Sequence, residues 1–159
     1  MNDRMKDQSF VLSVNISSGG IPKRPVTSVR ITQAGLEGDG HNHEKHCTPL
    51  QAVCLQDEEK LNELGGNGYS LAPGATGENL TVRHLHVNSL PVGTVLQFSG
   101  GVVIELSKVR KPCSVMDAIH PKLKEDAIGR HGMYARVIKE GMLTTGETIK
   151  VVKKENSGH

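Results

Sequence analysis

Glycine breaks this chain into short pieces. Eighteen glycines lie among short runs rich in Val, Ile and Leu. Such punctuation suits many tight turns between short strands better than a few long helices. Aromatic residues make up 3% and Trp is absent, so the core must be assembled from aliphatic side chains. With 159 residues the chain fits one domain and can bury a core without disulfide staples.

Strand signals recur along the chain. Phe10 to Ile16 alternates, Ser28 to Thr32 is a short strand, and Gln51 to Leu55 reads as a buried one. Asn79 to Val82, Tyr134 to Lys139 and Glu147 to Val152 follow the same logic. Thr94 to Phe98 and Val102 to Val109 flank Ser99-Gly-Gly101, a hairpin signal. Pro22 and Pro25 are expected to keep their stretch irregular.

Two short helices are expected. Asp57 is placed to cap one through Leu64, with Gly65 ending it. Pro121 suits the first turn of another ending near Gly129. The expected fold is mainly β, mostly antiparallel, and closed into a barrel, since closure removes exposed edges. Residues 10–152 form the domain; 1–9 and 153–159 read as flexible tails, and no repeat or linker divides the chain.

A net charge of +2 and four aromatic residues, Phe10, Phe98, Tyr69 and Tyr134, argue against nucleic acid as partner. No apolar run reaches the ~18 residues of a membrane span, and the first nine residues are polar, so a cytoplasmic location is expected. Three cysteines, Cys47, Cys54 and Cys113, make no disulfide framework. Cys54 sits in an apolar strand and reads as core. Cys113 follows Arg110, Lys111 and Pro112. A lone cysteine is usually a small buried hydrophobe, yet a thiolate beside cations is a soft nucleophile or metal ligand.

The polar loop Gly35 to His46 carries Asp39, His41, His43 and His46. His43, His46 and Cys47 invite a zinc reading, but their spacing is short and no second ligand pair is evident. His46 alone is the better site candidate. Asp39 suits either a turn or the orientation of a neighbouring group.

Several ordered segments resemble the MOSC domain, the module at the C-terminus of molybdenum-cofactor sulfurases. They are Gly38-Asp39 with His46 and Gln51 to Val53; Pro73 to Val82; Pro91 to Leu96; Glu105 to Cys113; and Gly129 to Val137 with Gly141, Gly146 and Glu147. Together they run from Gly38 to Glu147, most of the expected domain of residues 10–152. The resemblance implies a β-barrel that binds a molybdenum cofactor (molybdopterin), with Cys113 as catalytic residue and molybdenum ligand. Arg110, Lys111, Arg130 and Arg136 would meet its phosphate, since Arg offers a bidentate fork. Glu78, Asn79, Asp39 and His46 would complete the cofactor site.

The implied activity is reduction of N-hydroxylated or N-oxide compounds, with electrons from an external reductase. The alternative is a persulfide carrier or cofactor-delivery module serving a desulfurase or molybdoenzyme. No pyridoxal-phosphate site is expected, so the whole sulfurase reaction does not belong to this chain. The histidine-rich loop departs from the plainer family pattern, and oligomeric state stays open. The Gly35–His46 loop, the Gly74–Asn79 turn, Cys113 and Arg130–Arg136 are expected to share one mouth. A thiol-labelling time course on native protein should modify Cys113 before Cys54; the reverse order removes the reason to regard Cys113 as the chemical residue.

Overall fold

A computed structural model describes residues 8–17, 23–39, 51–66, 73, 78–110 and 132–152. Among these, eleven strands and one α-helix appear. In chain order they are β1 (Phe10–Ile16), β2 (Arg24–Val26), β3 (Ser28–Thr32), β4 (Gly35–Leu36), β5 (Val53–Asp57) and α1 (Glu58–Gly66). Then come β6 (Leu80–Arg83), a 3-10 turn (Val87–Ser89), β7 (Val95–Phe98), β8 (Val103–Val109), β9 (Met133–Lys139), β10 (Gly141–Thr144) and β11 (Ile149–Val152).

Eight strands form one sheet in the order β11-β7-β8-β9-β5-β6-β1-β2, and β10-β3-β4 form a second. Every pairing is antiparallel except β5 with β6. Parallel neighbours need a crossover connection, and here α1 lies within it and packs on both strands through the buried Leu61. Covered on both faces, β5 is buried at all five residues. On β8 and β9 alternate residues, among them Ile104, Leu106, Met133, Ala135 and Val137, enter the aliphatic core.

The chain is mainly β, as expected, but among the described residues the ladder does not close and has β11 and β2 at its edges. A bulge between Val11 and Ser13 separates two halves of β1. The second half pairs with β2. The first half meets the run entering β11: Val11 N–H donates to Glu147 O (2.9 Å), Gly146 N–H to Val11 O (2.8 Å) and Ile149 N–H to Ser9 O (2.9 Å). Gly146 to Thr148 is too irregular to extend a ladder, so the contact is an isolated bridge between Phe10 and Thr148.

Several boundaries differ from expectation. Pro25 does not prevent a strand; it lies in β2 at the sheet edge, where a missing N–H costs least. β4 lies inside the stretch read as loop, and β10 was not foreseen. The hairpin at Ser99-Gly-Gly101 holds, with Gly101 at φ 112. The second expected helix falls outside the described residues.

One glycine sets the start of β9. Gly132 has φ 86, and a Cβ there would lie 2.0 Å from the Leu55 carbonyl oxygen of the central strand. Backbone cannot yield as a flexible side chain can. Gly132→Ala should therefore cost more than ~2 kcal/mol in urea unfolding, above the usual Gly-to-Ala effect; a cost within ~0.5 kcal/mol would contradict this close approach.

Candidate functional site

Asp39 follows the β3–β4 hairpin, where its N–H donates to Leu36 O (3.0 Å). Its carboxylate gathers three donors. Lys23 Nζ approaches Oδ1 at 2.7 Å and Oδ2 at 2.9 Å, and Ser17 N–H donates to Oδ1 at 2.9 Å. Asn79 Nδ2 donates to Oδ2 at 3.0 Å. The side chains of Lys23 and Asp39 are only 11% and 2% exposed. An ion pair so desolvated persists because its remaining lone pairs are answered.

Asn79 is the hinge pin of this arrangement. Its backbone N–H donates to Cys54 O (2.8 Å), and its side-chain Oδ1 accepts from Cys54 N–H (2.9 Å). It thus docks the head of β6 onto β5 while its amide nitrogen reaches Asp39. Beside it, Glu78 is fully buried and accepts from Thr81 Oγ1 (2.8 Å). Asn15 Nδ2 donates to Thr81 Oγ1 (2.9 Å) and Glu78 O (3.3 Å), and Ser13 Oγ donates to Asn15 Oδ1 (2.6 Å). Buried polar groups linked this way hold one geometry.

Arg110, directly after β8, is buried at 5% exposure. Its N–H donates to Gly132 O at 3.2 Å. Arg136 lies elsewhere, on the exposed side of β9, where Nε meets Glu105 Oε1 of β8 at 2.5 Å. Of the residues expected to form the site, then, Asp39, Glu78 and Asn79 stand together. Arg110 sits beside Gly132 on the other flank of β5's neighbour strand, and Arg136 is engaged by Glu105. Lys111, Cys113, Arg130 and His46 lie outside the described residues, as do His41, His43 and Cys47. Cys54 is buried, in keeping with a core role.

Sequence reasoning missed Lys23 and Asn15, because nothing local marks a lysine or asparagine as the partner of a distant carboxylate. It also misassigned Asp57. The Asp57 carboxylate accepts from His86 N–H (2.8 Å) and Val87 N–H (2.8 Å), in the 3-10 turn rather than in α1. Beside that turn a shallow cavity of about 440 Å³ is lined by Lys60, His86, Asn88 and Ser89. No group of three or more His, Cys, Asp or Glu able to hold a metal ion occurs among the described residues. No helix among them is long and apolar enough to cross a membrane.

The MOSC domain pattern matches residues 39–150, beginning at Asp39 itself, and the chain belongs to the MOSC domain family. Among its relatives, the uncharacterised protein YflK of Bacillus subtilis (strain 168) is 32% identical over 151 residues, 87% of this chain and 66% of that protein. A protein of Gibberella moniliformis (strain M3125 / FGSC 7600) named "Reductase" is 29% identical over 85 residues, 51% of this chain and 15% of the relative. The chain thus spans less than two thirds of the length of either. The crystal structure of YiiM from Geobacillus stearothermophilus shares the fold, with a TM-score of 0.78 at 24% identity over 93% of this chain and 77% of that one.

Burial pushes the Asp57 carboxyl up from its ordinary 3.8 to about 6. The Val87 and His86 N–H groups pull against the rise, nearby Glu59 adds to it, and the His86 side chain opposes it. Between those two values the folded chain binds more protons than the unfolded one. Stability from this group is therefore fully present below pH ~4 and is lost as pH rises through ~6, by roughly 3 kcal/mol in all. Asp57→Asn removes the titration, so the unfolding free energy of wild type minus variant should fall as pH rises from about 4 to 7. Parallel pH profiles would show that Asp57 does not titrate as its burial requires.

Proposed function

We propose that this MOSC domain binds a molybdenum cofactor and reduces N-hydroxylated compounds, with Cys113 as the metal's protein ligand. Electrons would come from a separate reductase, in the cytoplasm. Support comes from family membership and from the partial relative named a reductase. The observation that carries the reading is Arg110, a guanidinium buried at 5% exposure three residues before Cys113. Such a charge suits the phosphate of a pterin cofactor, and a soft thiolate suits molybdenum. When bound, the metal supplies the redox chemistry.

The chain's own residues do the rest. Lys23 and Asp39 hold Asn79, and Asn79 fixes β6 against β5. Arg110 contributes positive charge at the root of the Cys113 segment, where it would favour the thiolate form. Lys111, Arg130 and His46 are assigned to the cofactor on the family resemblance alone.

Molybdenum and pterin analysis of protein from a cofactor-making host, wild type against Cys113→Ser, tests the reading. Serine is nearly isosteric, so the melting temperature should hold, while its hard oxygen should abolish molybdenum retention. If Cys113 is only a core residue, the buried hydroxyl should instead cost ~1–3 kcal/mol and leave metal content unchanged. Sulfur loading without retained molybdenum would transfer the role to a persulfide carrier.

A further inference from the structure

We propose that the outer face of the β11-β7-β8-β9 run docks an acidic segment of another protein, one that carries apolar side chains between its acids. The proposal is independent of the role given to Cys113. Ile104, Leu106, Ala135, Val137 and Ile149 turn one side of these strands into the core. The register fixes what the other side presents, because residues opposite one another in a ladder share a face. One row across the four strands is Lys150, Gln97, Val103 and Lys139, and the next is Val152, Val95, Glu105 and Arg136. Lys108 and Tyr134 are paired further along, with Lys108 Nζ 5.8 Å from the ring centroid.

A solvated face of an antiparallel sheet ordinarily carries polar residues at such positions. Here Val95, Val103 and Val152 stand at its middle, half-buried. A bulge adds one more apolar residue. Val103 pairs with Lys139 and Ile104 with Val137, so Ile138 is the extra residue between them, and it is 44% exposed.

The charges around this centre are of one sign. Lys108, Arg136, Lys139 and Lys150 are all exposed. Glu105, the carboxylate among them, is 14% exposed and already engaged by Arg136. Acids at the margins are turned to backbone groups. Glu140 accepts from Gln33 N–H at 2.8 Å, and Glu147 accepts from Gly100 N–H and Thr144 N–H at 2.7 and 2.8 Å. Lys139 and Lys150 have no ion-pair partner among the described residues. In a chain of net charge +2, positive charge is therefore collected on one face, where it steers an acidic partner.

Charge and size select the occupant. A second copy presenting this same face would set like charges against each other. Its acidic helix α1 is no better, because Glu58 is held by Arg83 and Glu63 by Lys60. Four strands ~4.8 Å apart and about five residues long make a face of roughly 15 by 17 Å, or ~250 Å². That is far below the ~800 Å² per partner of a standard stable interface, so it suits a short segment in a transient encounter. A nucleic-acid backbone would use the cations and gain nothing from the valines.

The test is an amide-shift titration of the isotope-labelled full chain with the peptide Glu-Glu-Glu-Leu-Leu-Leu-Glu-Glu-Glu, at about 0.05 M and about 0.3 M salt. Saturable shifts should centre on β7, β8, β9 and β11, and binding should weaken about tenfold at the higher salt. Lys139→Glu with Lys150→Glu should also weaken it about tenfold. Arg24→Glu with Arg30→Glu, exposed positions on β2 and β3 that change net charge equally, should stay within about twofold of wild type. Replacing the peptide's leucines by serine should weaken binding several-fold. The proposal is overturned by absence of saturable shifts on this face, by equal weakening in the Arg24 and Arg30 variant, or by equal affinity for the serine peptide. It is overturned as well if a DNA duplex or phosphatidylserine vesicles shift these amides at lower concentration than the leucine peptide does.

Discussion

Complete burial of β5 is the constraint on which the rest depends. All five of its residues are buried, and two of them, Gln56 and Asp57, are polar. A buried polar group without a partner is costly, so each must find one nearby. Gln56 Oε1 accepts from Asp57 N–H at 2.9 Å. Asp57 accepts from the turn that carries Asn88, and the Cys54 backbone exchanges hydrogen bonds with Asn79. The central strand therefore organises polar architecture on both sides, toward β6 and toward β9.

The polar network around Asp39 reaches beyond the part of the chain that matches the family pattern. That match begins at residue 39. Lys23, Ser17 and Asn15 precede it, yet they hold Asp39 and the Glu78–Asn79 pair in place. β1 and β2 are thus more than an addition at the sheet edge. Asn15 of β1 and Lys23 just before β2 supply the amide and the counter-charge that accompany the buried Glu78 and Asp39.

Elements defined by local patterns were legible in the sequence. The alternation of Phe10 to Ile16 gives β1 with the same bounds, and Ser99-Gly-Gly101 announces its hairpin, because both signals are spent within a few residues. Asp39 and Asn79 could be singled out by family resemblance, but not their contact, which links residues forty apart. The Asp57 misreading has the same cause. An acid before a helical run looks like a cap, and only tertiary structure brings the His86 and Val87 N–H groups to it. β10 was missed because its partner β3 lies at the other end of the domain. Barrel closure was an inference from edge chemistry, whereas the observed link between the first half of β1 and the run before β11 is a bridge.

That bridge also bears on the order in which the chain acquires its structure. On one edge Phe10 and Val11 pair with Arg83 and Val82 of β6; on the other they meet Glu147 and Thr148, at the far end of the described sequence. Contacts so distant along the chain incur the full entropy of closing a long loop before they stabilise anything, and folds rich in them form slowly. During synthesis β6 can match one edge of the leading half of β1 once Leu80–Arg83 has left the ribosome, but the other edge stays unmatched until almost the whole domain has followed. An apolar strand with one edge waiting in that state is exposed to pairing with other chains until the last strands arrive.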